Sequence, residues 1–252
     1  MEAEETQVED DESTQIVSSE EMTKADYEKE VAAATKKLEA KAEGVTNSKI
    51  SASRSTTSDS DSYNTSYKKV TTSVVKLSNG KYRVKNDVTW SIMPKNRDFD
   101  VIGVGVQPQW AGNKGSEYGK QTWKEYDYGT RKTKTGYSQY STTRNPSYWN
   151  IDGNGFGVKM NLKNDNKVAK TGVGWVGTEV RNLNLYMYYT VGKTVSNVKR
   201  IDAYGRYAHA TTKLKPSFGF SVSTSIAAGF SFTLNKVSDF DITNKTVATI
   251  EF

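Results

Sequence analysis

The sequence contains no cysteine and a single histidine, His209, and these two shortages exclude much of the usual protein chemistry. Without cysteine the chain has no disulfide, no thiolate nucleophile and no Cys-ligated zinc site. General acid–base catalysis and serine activation most often use histidine. His209 stands in YAHATTK, and no G-x-S-x-G elbow occurs in the chain. We therefore predict that His209 is structural and that the protein is not an enzyme.

Metal-binding and phosphate-binding motifs are missing as well. The segment Asp152–Asn154 and the segment 164–166 carry oxygen donors, but both match tight turns better than an EF-hand calcium loop. The glycine-rich GVGVQ and GVGWVG lack the Lys-Ser/Thr ending of a phosphate loop. We predict neither a metal nor a cofactor. Glycoside hydrolysis by two acids that the fold brings together stays an alternative, with these candidates: Glu117, Glu125, Asp127, Asp152 and Glu179.

The charge of the chain is divided sharply along its length. Residues 1–60 hold 7 Lys and Arg against 15 Asp and Glu, which leaves 28 against 14 in residues 61–252. A basic body of this kind attracts an anionic polymer, an anionic glycan or a lipid surface. Nucleic acid ranks below these partners, because no helix-in-groove, zinc-finger or RRM signature is present. Oligomeric state is not indicated.

The first 66 residues differ from the rest in composition. Residues 1–17 are acidic and too poor in apolar side chains for a core, which predicts a disordered leader. Residues 18–43 start with a capping box at Ser18 and Glu21 and carry a narrow apolar stripe, which predicts one amphipathic α-helix. Residues 44–66 are rich in Ser, Thr, Asn and Asp and are predicted to be a linker. We expect the acidic leader to fold over the basic body.

From residue 67 onward the sequence has the residue pattern of β-strands and turns. Apolar side chains occupy alternate positions in several short runs, for example Phe156, Val158, Met160 and Leu162. Such alternation is typical of antiparallel strands with one buried face, and no long helical pattern separates the runs. We therefore predict an all-β domain over residues 67–252, an antiparallel β-sandwich or open barrel.

The segment from Trp110 to Trp149 mixes aromatic and basic residues with Gly, Ser and Thr. Its weak periodicity predicts long loops, and loops on a rigid sheet often carry recognition. Aromatic faces stack on sugars, and cations meet anionic groups. The predicted ligand-binding residues are Trp110, Trp123, Tyr126, Tyr128, Lys132, Lys134, Tyr137, Tyr140, Tyr148 and Trp149. Packing of the tryptophans into the core is the competing interpretation.

The run Phe218–Leu234 reads as a β-hairpin with one apolar and one small polar face. Both arms alternate at period two, with Ser or Thr between the large residues. This pattern fits a sandwich strand over a core, and it equally fits a hairpin with a lipid face and a wet face. The predicted membrane-contacting residues are Phe218, Phe220, Val222, Phe230, Phe232 and Leu234.

Two further stretches carry a resemblance. KYRVKNDVTWSIMPKNRDFDVIGVGV and VKRIDAYGRYAHA, with the closing Ser-rich strands, resemble a group of uncharacterised secreted proteins of Gram-positive bacteria, over residues 68–252. The resemblance implies export and a β-rich fold, and it implies no activity. The acidic start MEAEETQVEDDE has no apolar core, so we expect a secreted or wall-associated protein whose signal peptide is not in this sequence.

These observations predict a non-catalytic secreted protein that binds an anionic glycan, cell-wall polymer or cell surface through the aromatic-basic loops. The alternative is a membrane-inserting protein that uses residues 218–234.

Overall fold

The computed structural model describes residues 15–20, 57–172, 174–214, 218–225, 229–234 and 240–252. In chain order the strands are β1 (Gln15–Glu20), β2 (Ser58–Asn64), β3 (Lys68–Lys76), β4 (Tyr82–Trp90), β5 (Phe99–Val106), β6 (Trp110–Gly112), β7 (Tyr118–Asp127), β8 (Thr133–Tyr140), β9 (Trp149–Asp152), β10 (Gly155–Asn161), β11 (Asn166–Thr171), β12 (Gly174–Lys193), β13 (Arg200–Ala210), β14 (Phe220–Ser225), β15 (Gly229–Leu234), β16 (Phe240–Ile242) and β17 (Thr246–Glu251). A short 3₁₀ turn, Pro146–Tyr148, precedes β9.

All strand pairs are antiparallel, and they form two large sheets and one small one. Sheet A has the order β1-β8-β7-β12-β4-β3-β2, with β6 and β11 also paired to β12. Sheet B has the order β16-β13-β5-β10-β9, with β17 also paired to β13. The third sheet consists of β14 and β15 alone. Neither large sheet closes on itself through the described residues, so the prediction of an all-β fold of antiparallel sheets is confirmed, and the described residues form no closed barrel.

Sheets A and B pack face to face around one core. The Phe156 ring from sheet B stacks on the Tyr189 ring from sheet A at 4.0 Å, with 7° between the planes. The Tyr189 hydroxyl donates to the carbonyl oxygens of Val104 and Asn154, each at 3.0 Å. Asn86, fully buried in sheet A, donates from Nδ2 to the Gly103 carbonyl at 2.9 Å. These bonds satisfy polar groups that burial between the sheets would otherwise leave unpaired.

Two predictions for the first 66 residues need correction. Residues 15–20 pair with β8 as an edge strand, so the chain is extended at Ser18, where a helix was predicted to start. The other residues of the leader and the predicted helix lie outside the described part of the chain. Residues 58–64 belong to β2 and not to a linker. There the carboxylates of Asp59 and Asp61 accept backbone N–H bonds from β17, at 2.7 and 2.8 Å, and fix a strand with few apolar residues.

Candidate functional site

Most of the predicted aromatic ligand-binding residues lie in the core. Six of the ten are between 1% and 8% exposed: Trp110, Trp123, Tyr126, Tyr140, Tyr148 and Trp149. The segment also forms strands and not long loops, because β6, β7 and β8 span most of it. Buried rings cannot stack on a ligand, so these six do not form the predicted recognition surface.

Of the other four predicted residues, three lie at or next to the β7–β8 turn. Lys132 and Lys134 are exposed there. Tyr128 donates its hydroxyl to Glu179 at 2.6 Å, and Tyr137, on β8, lies under the Lys120 ammonium at 4.3 Å. The predicted aromatic-basic face is thus reduced to these four residues, and as a binding site it stays a prediction.

The hairpin predicted from the alternating phenylalanines is present as β14 and β15. Phe220 pairs with Leu234, Val222 with Phe232 and Thr224 with Phe230. Because directly opposed residues share one face of a two-stranded sheet, the large side chains form a single apolar face. On the other face, Ser223 and Ser231 share a hydrogen bond of 2.9 Å at an exposed position.

The apolar face of the hairpin rests on a strip of glycines on the outer face of sheet B, which we call the glycine bed: Gly103, Gly105, Gly155 and Gly157. A Cβ added at Gly105 would lie 2.5 Å from Cδ2 of Phe230, and one at Gly157 would lie 2.6 Å from Cγ1 of Val222. Phe230 is consequently fully buried, whereas Phe220 and Phe232 are only half-buried. The absence of side chains on two neighbouring strands creates the groove that holds the hairpin.

Few polar contacts hold the hairpin in place. The Val222 N–H donates to Asn150 Oδ1 at 3.0 Å, Thr224 contacts Asn154 through their side-chain oxygens, and Lys159 donates to the Phe218 carbonyl at 3.2 Å. Among the described residues, no backbone–backbone hydrogen bond joins the hairpin to sheet B. The contact between hairpin and sheet is therefore mainly apolar.

The hairpin is inserted between two strands that are themselves paired. Ala210, the last residue of β13, pairs with Phe240, the first residue of β16. The chain leaves sheet B after Ala210, forms the hairpin and returns at Phe240. Both ends of the insertion are thus fixed at one point of sheet B.

A partly buried polar cluster lies beside that point. Lys68, only 1% exposed, donates from Nζ to Asp241 of β16 at 2.7 Å, and the Tyr67 hydroxyl donates to the same carboxylate at 2.9 Å. Burial alone would raise the pKa of Asp241, but the bonds from Lys68 and Tyr67 outweigh it and hold the pKa below its usual value. This ion pair helps to hold β16 on the rest of the molecule.

His209, the residue weighed as a catalyst, belongs to the same region. Its Nδ1 lies 3.0 Å from Asp100 Oδ1, and its ring packs edge-on against Trp90 at 4.8 Å. Asp100 also accepts the Ala210 N–H at 3.0 Å and the Tyr207 hydroxyl. The Asp100 carboxylate is therefore hydrogen-bonded to residues at the end of β13. The described residues contain no group of three or more His, Asp or Glu side chains placed to share a metal ion.

The structure also assembles an aromatic-basic surface that the sequence analysis did not name. Arg83 and Lys85 of β4 and Tyr186 and Tyr188 of β12 lie on the outer face of sheet A, beside Tyr118 of β7. The signal was present in NLNLYMYYT, where Tyr186 and Tyr188 alternate with Leu185 and Met187, which are fully buried.

Comparisons with known proteins do not assign a family. No protein-family model matches the chain, and no curated protein matches it. The described residues contain no helix that is long and apolar enough to cross a bilayer.

Proposed function

We propose that this protein acts on membranes and that the hairpin Phe218–Leu234 is the part that inserts. The observation that carries this proposal is a hairpin with one apolar face, docked on the glycine bed without a backbone ladder to sheet B. The adhesion function predicted from Trp110–Trp149 loses support, because six of its ten residues are buried.

The insertion has enough residues for two bilayer-crossing strands only when the segments that flank β14 and β15, of six residues each, are counted with them. A membrane-spanning β-strand needs about 9–11 residues. Counted from the paired residues Ala210 and Phe240, residues 211–225 supply 15 positions and residues 229–239 supply 11. The Phe, Val and Leu side chains would face lipid, and the Ser and Thr side chains of the other face would remain in a wet environment.

Release of the hairpin leaves the sandwich intact. The Ala210–Phe240 pair and the ladders of sheets A and B do not involve β14 or β15. Undocking costs the apolar contacts of Phe230, Val222 and Leu234, about 1.5–3 kcal/mol for each fully buried side chain. Burial of the same side chains in hydrocarbon offsets this cost.

A single hairpin in a bilayer has unpaired strand edges, which cost several kcal/mol for each unsatisfied group. Hairpins from several copies of the chain would therefore pair edge to edge in the membrane. The other face of each hairpin carries Ser and Thr side chains. Neighbouring hairpins that turn this face inward would enclose a polar passage.

The test is a disulfide that locks the hairpin on its bed, with leakage of dye from anionic liposomes as the readout. Gly157→Cys and Val222→Cys suit this purpose, since a Cβ at residue 157 would lie 2.6 Å from Val222 Cγ1. The two Cβ atoms are then no more than one bond length further apart, within the separation of about 3.5–4.5 Å that a disulfide requires. The native chain has no cysteine, so no other pairing competes.

We expect dye release by the native protein, no release by the oxidised lock, and recovery when a reductant opens it. The matched control is Ser223→Cys with Ser231→Cys, because that bridge joins the two arms and leaves the bed free. It should release dye in either redox state. Intact vesicles with micromolar native protein, or full activity of the oxidised lock, would refute the proposal.

A further inference from the structure

A second surface, on the opposite side of the molecule from the glycine bed, has the properties of a binding site. We call it the ring–cation face, and its residues are Arg83, Lys85, Tyr118, Lys120, Tyr186 and Tyr188. They lie on the outer face of sheet A, on the adjacent strands β4, β12 and β7. Tyr188 pairs directly with Tyr118, and Tyr186 pairs with Lys120, so the cross-strand register places aromatic and basic side chains next to each other.

The three tyrosines of the face form one aromatic group. The Tyr118 centroid lies 5.4 Å from that of Tyr188 and 6.2 Å from that of Tyr186. The rings of Tyr186 and Tyr188 are 6.4 Å apart and almost parallel, at 11°. Burial raises the pKa of Tyr118 and of Tyr186, and a tyrosine phenol is a neutral hydrogen-bond donor at neutral pH even without such a shift.

Each cation of the face is held against an aromatic ring. The Arg83 guanidinium lies 4.7 Å from the Tyr188 centroid, and the Lys85 ammonium lies 4.6 Å from the Tyr186 centroid. Lys120 lies 4.3 Å from the ring of Tyr137 on β8. The nearby acid Asp87 bonds to Lys85 at 2.7 Å and neutralises one of the three charges. Cations fixed in this way lose less side-chain entropy when an anion binds.

This geometry favours one class of ligand. Because Arg83 and Lys85 already cover ring faces, the tyrosines offer hydroxyls and ring edges more than open faces, and flat bases would have little to stack on. The six residues include no aliphatic or Trp side chain that would enter the hydrocarbon of a lipid bilayer. Hydroxyl donors interspersed with cations on a flat sheet match a chain that carries both hydroxyls and anionic groups.

We propose that the ring–cation face binds an extended acidic polysaccharide, with its carboxylates on Arg83 and Lys120 and its hydroxyls on the tyrosines. This site is independent of the hairpin. It gives the anionic-glycan adhesion predicted from the sequence a different location, on β4 and β12, which the prediction did not include, and on two residues of β7 that were not among the predicted ones.

The test is calorimetric titration of the full chain with polygalacturonate, a linear carboxylated polysaccharide. Dextran supplies hydroxyls without charge, polyphosphate supplies charge without sugar, and single-stranded DNA supplies charge with bases. We expect polygalacturonate to bind at least tenfold more tightly than each of the other three. If polyphosphate binds as tightly as polygalacturonate or more tightly, the face recognises charge alone. If DNA binds more tightly than polygalacturonate, the face is a nucleic-acid site. Either result overturns the proposal.

Substitutions then locate the site. Tyr186→Ser with Tyr188→Ser should weaken polygalacturonate binding at least tenfold, and Lys120→Ser should weaken it severalfold. Lys199→Ser is the matched control, because it removes the same charge from an exposed position outside sheet A and should change affinity little. If the variant with both tyrosines replaced does not show a cooperative unfolding transition, the comparison of Lys120→Ser with Lys199→Ser decides alone. Equal effects of the two lysine substitutions would refute the assignment, whatever the outcome of the liposome experiment.

Discussion

At the scale of single residues, the glycines of sheet B determine where the hairpin can dock. On the outer face of β5 and β10 they replace the side chains that would otherwise fill the space taken by Phe230 and Val222. Their backbone angles are not what requires glycine, since none of the four has a positive φ. What requires glycine is the close approach of the hairpin, and even a methyl group at these positions overlaps with it.

Gly105→Ala should therefore loosen the hairpin. The added Cβ would lie 2.5 Å from Phe230 and 2.6 Å from the Thr224 methyl, so the hairpin must shift. We expect a loss of about 1–3 kcal/mol in the free energy of unfolding, as for other overpacked sites, together with faster proteolysis of the hairpin and faster dye release. Urea unfolding and limited proteolysis measure the first two effects. Gly192→Ala, which meets no atom within 4 Å, is the control and should be near neutral.

The ion pair at the base of the hairpin makes stability depend on pH. Because the pKa of Asp241 is lowered in the folded state, its contribution is present above about pH 4, the ordinary pKa of an aspartate, and is lost as pH falls through the folded value. Asp241→Asn should lower the free energy of unfolding by about 1 kcal/mol at pH 7, because the Asp241 side chain is 39% exposed and solvent screens the pair. The difference from the native protein should shrink toward pH 3.

Urea unfolding at pH 7 and pH 3 checks this expectation. Asp152→Asn, at an exposed position, should leave both values unchanged. A constant difference between native and Asp241→Asn proteins at the two pH values would show that the carboxylate charge is not what stabilises β16.

At the scale of elements, strands were predictable wherever every second residue was apolar. Runs such as Phe156–Leu162 and Tyr82–Trp90 show this alternation, and β10 and β4 follow it closely. Strand β7 escaped prediction because its inward positions include Gly119 and Gln121. Gln121 is buried because it donates to the Asn161 carbonyl at 2.6 Å, a partner 40 residues away that local sequence does not reveal.

The candidate sites show the same limit. The amphipathic hairpin was visible in the sequence, because its pattern is local. The place where the hairpin docks was not visible in the sequence, because the glycine bed combines residues of β5 with residues of β10, about 50 positions later. The ring–cation face likewise joins three strands whose order in sheet A no local pattern specifies.

At the scale of the whole molecule, the first 43 residues are acidic and the rest of the chain is basic. Residues 1–43 contain 14 acidic residues against 5 lysines. Residues 15–20 within them pair with β8, which is next to β7 of the ring–cation face. The acidic segment is thereby attached to the sheet that carries the proposed polysaccharide site.

Deletion of residues 1–43 should strengthen polygalacturonate binding about threefold or more at low salt, because a competing anionic segment is removed. The deletion also removes β1, so a second variant is needed. Replacement of the seven acids in residues 2–12 by Gln or Asn keeps residues 15–20 and should have the same effect. Unchanged affinity in both variants would leave the segment without a role in binding.

The independence of the hairpin from the backbone ladders has a practical consequence. Lifting the hairpin breaks no main-chain bond of sheets A and B, so the number of extended residues stays the same. Far-ultraviolet circular dichroism would scarcely register the event. A fluorophore on a thiol introduced at Phe232, a half-buried position of the apolar face, would register it, since that side chain exchanges the glycine bed for whatever the hairpin enters.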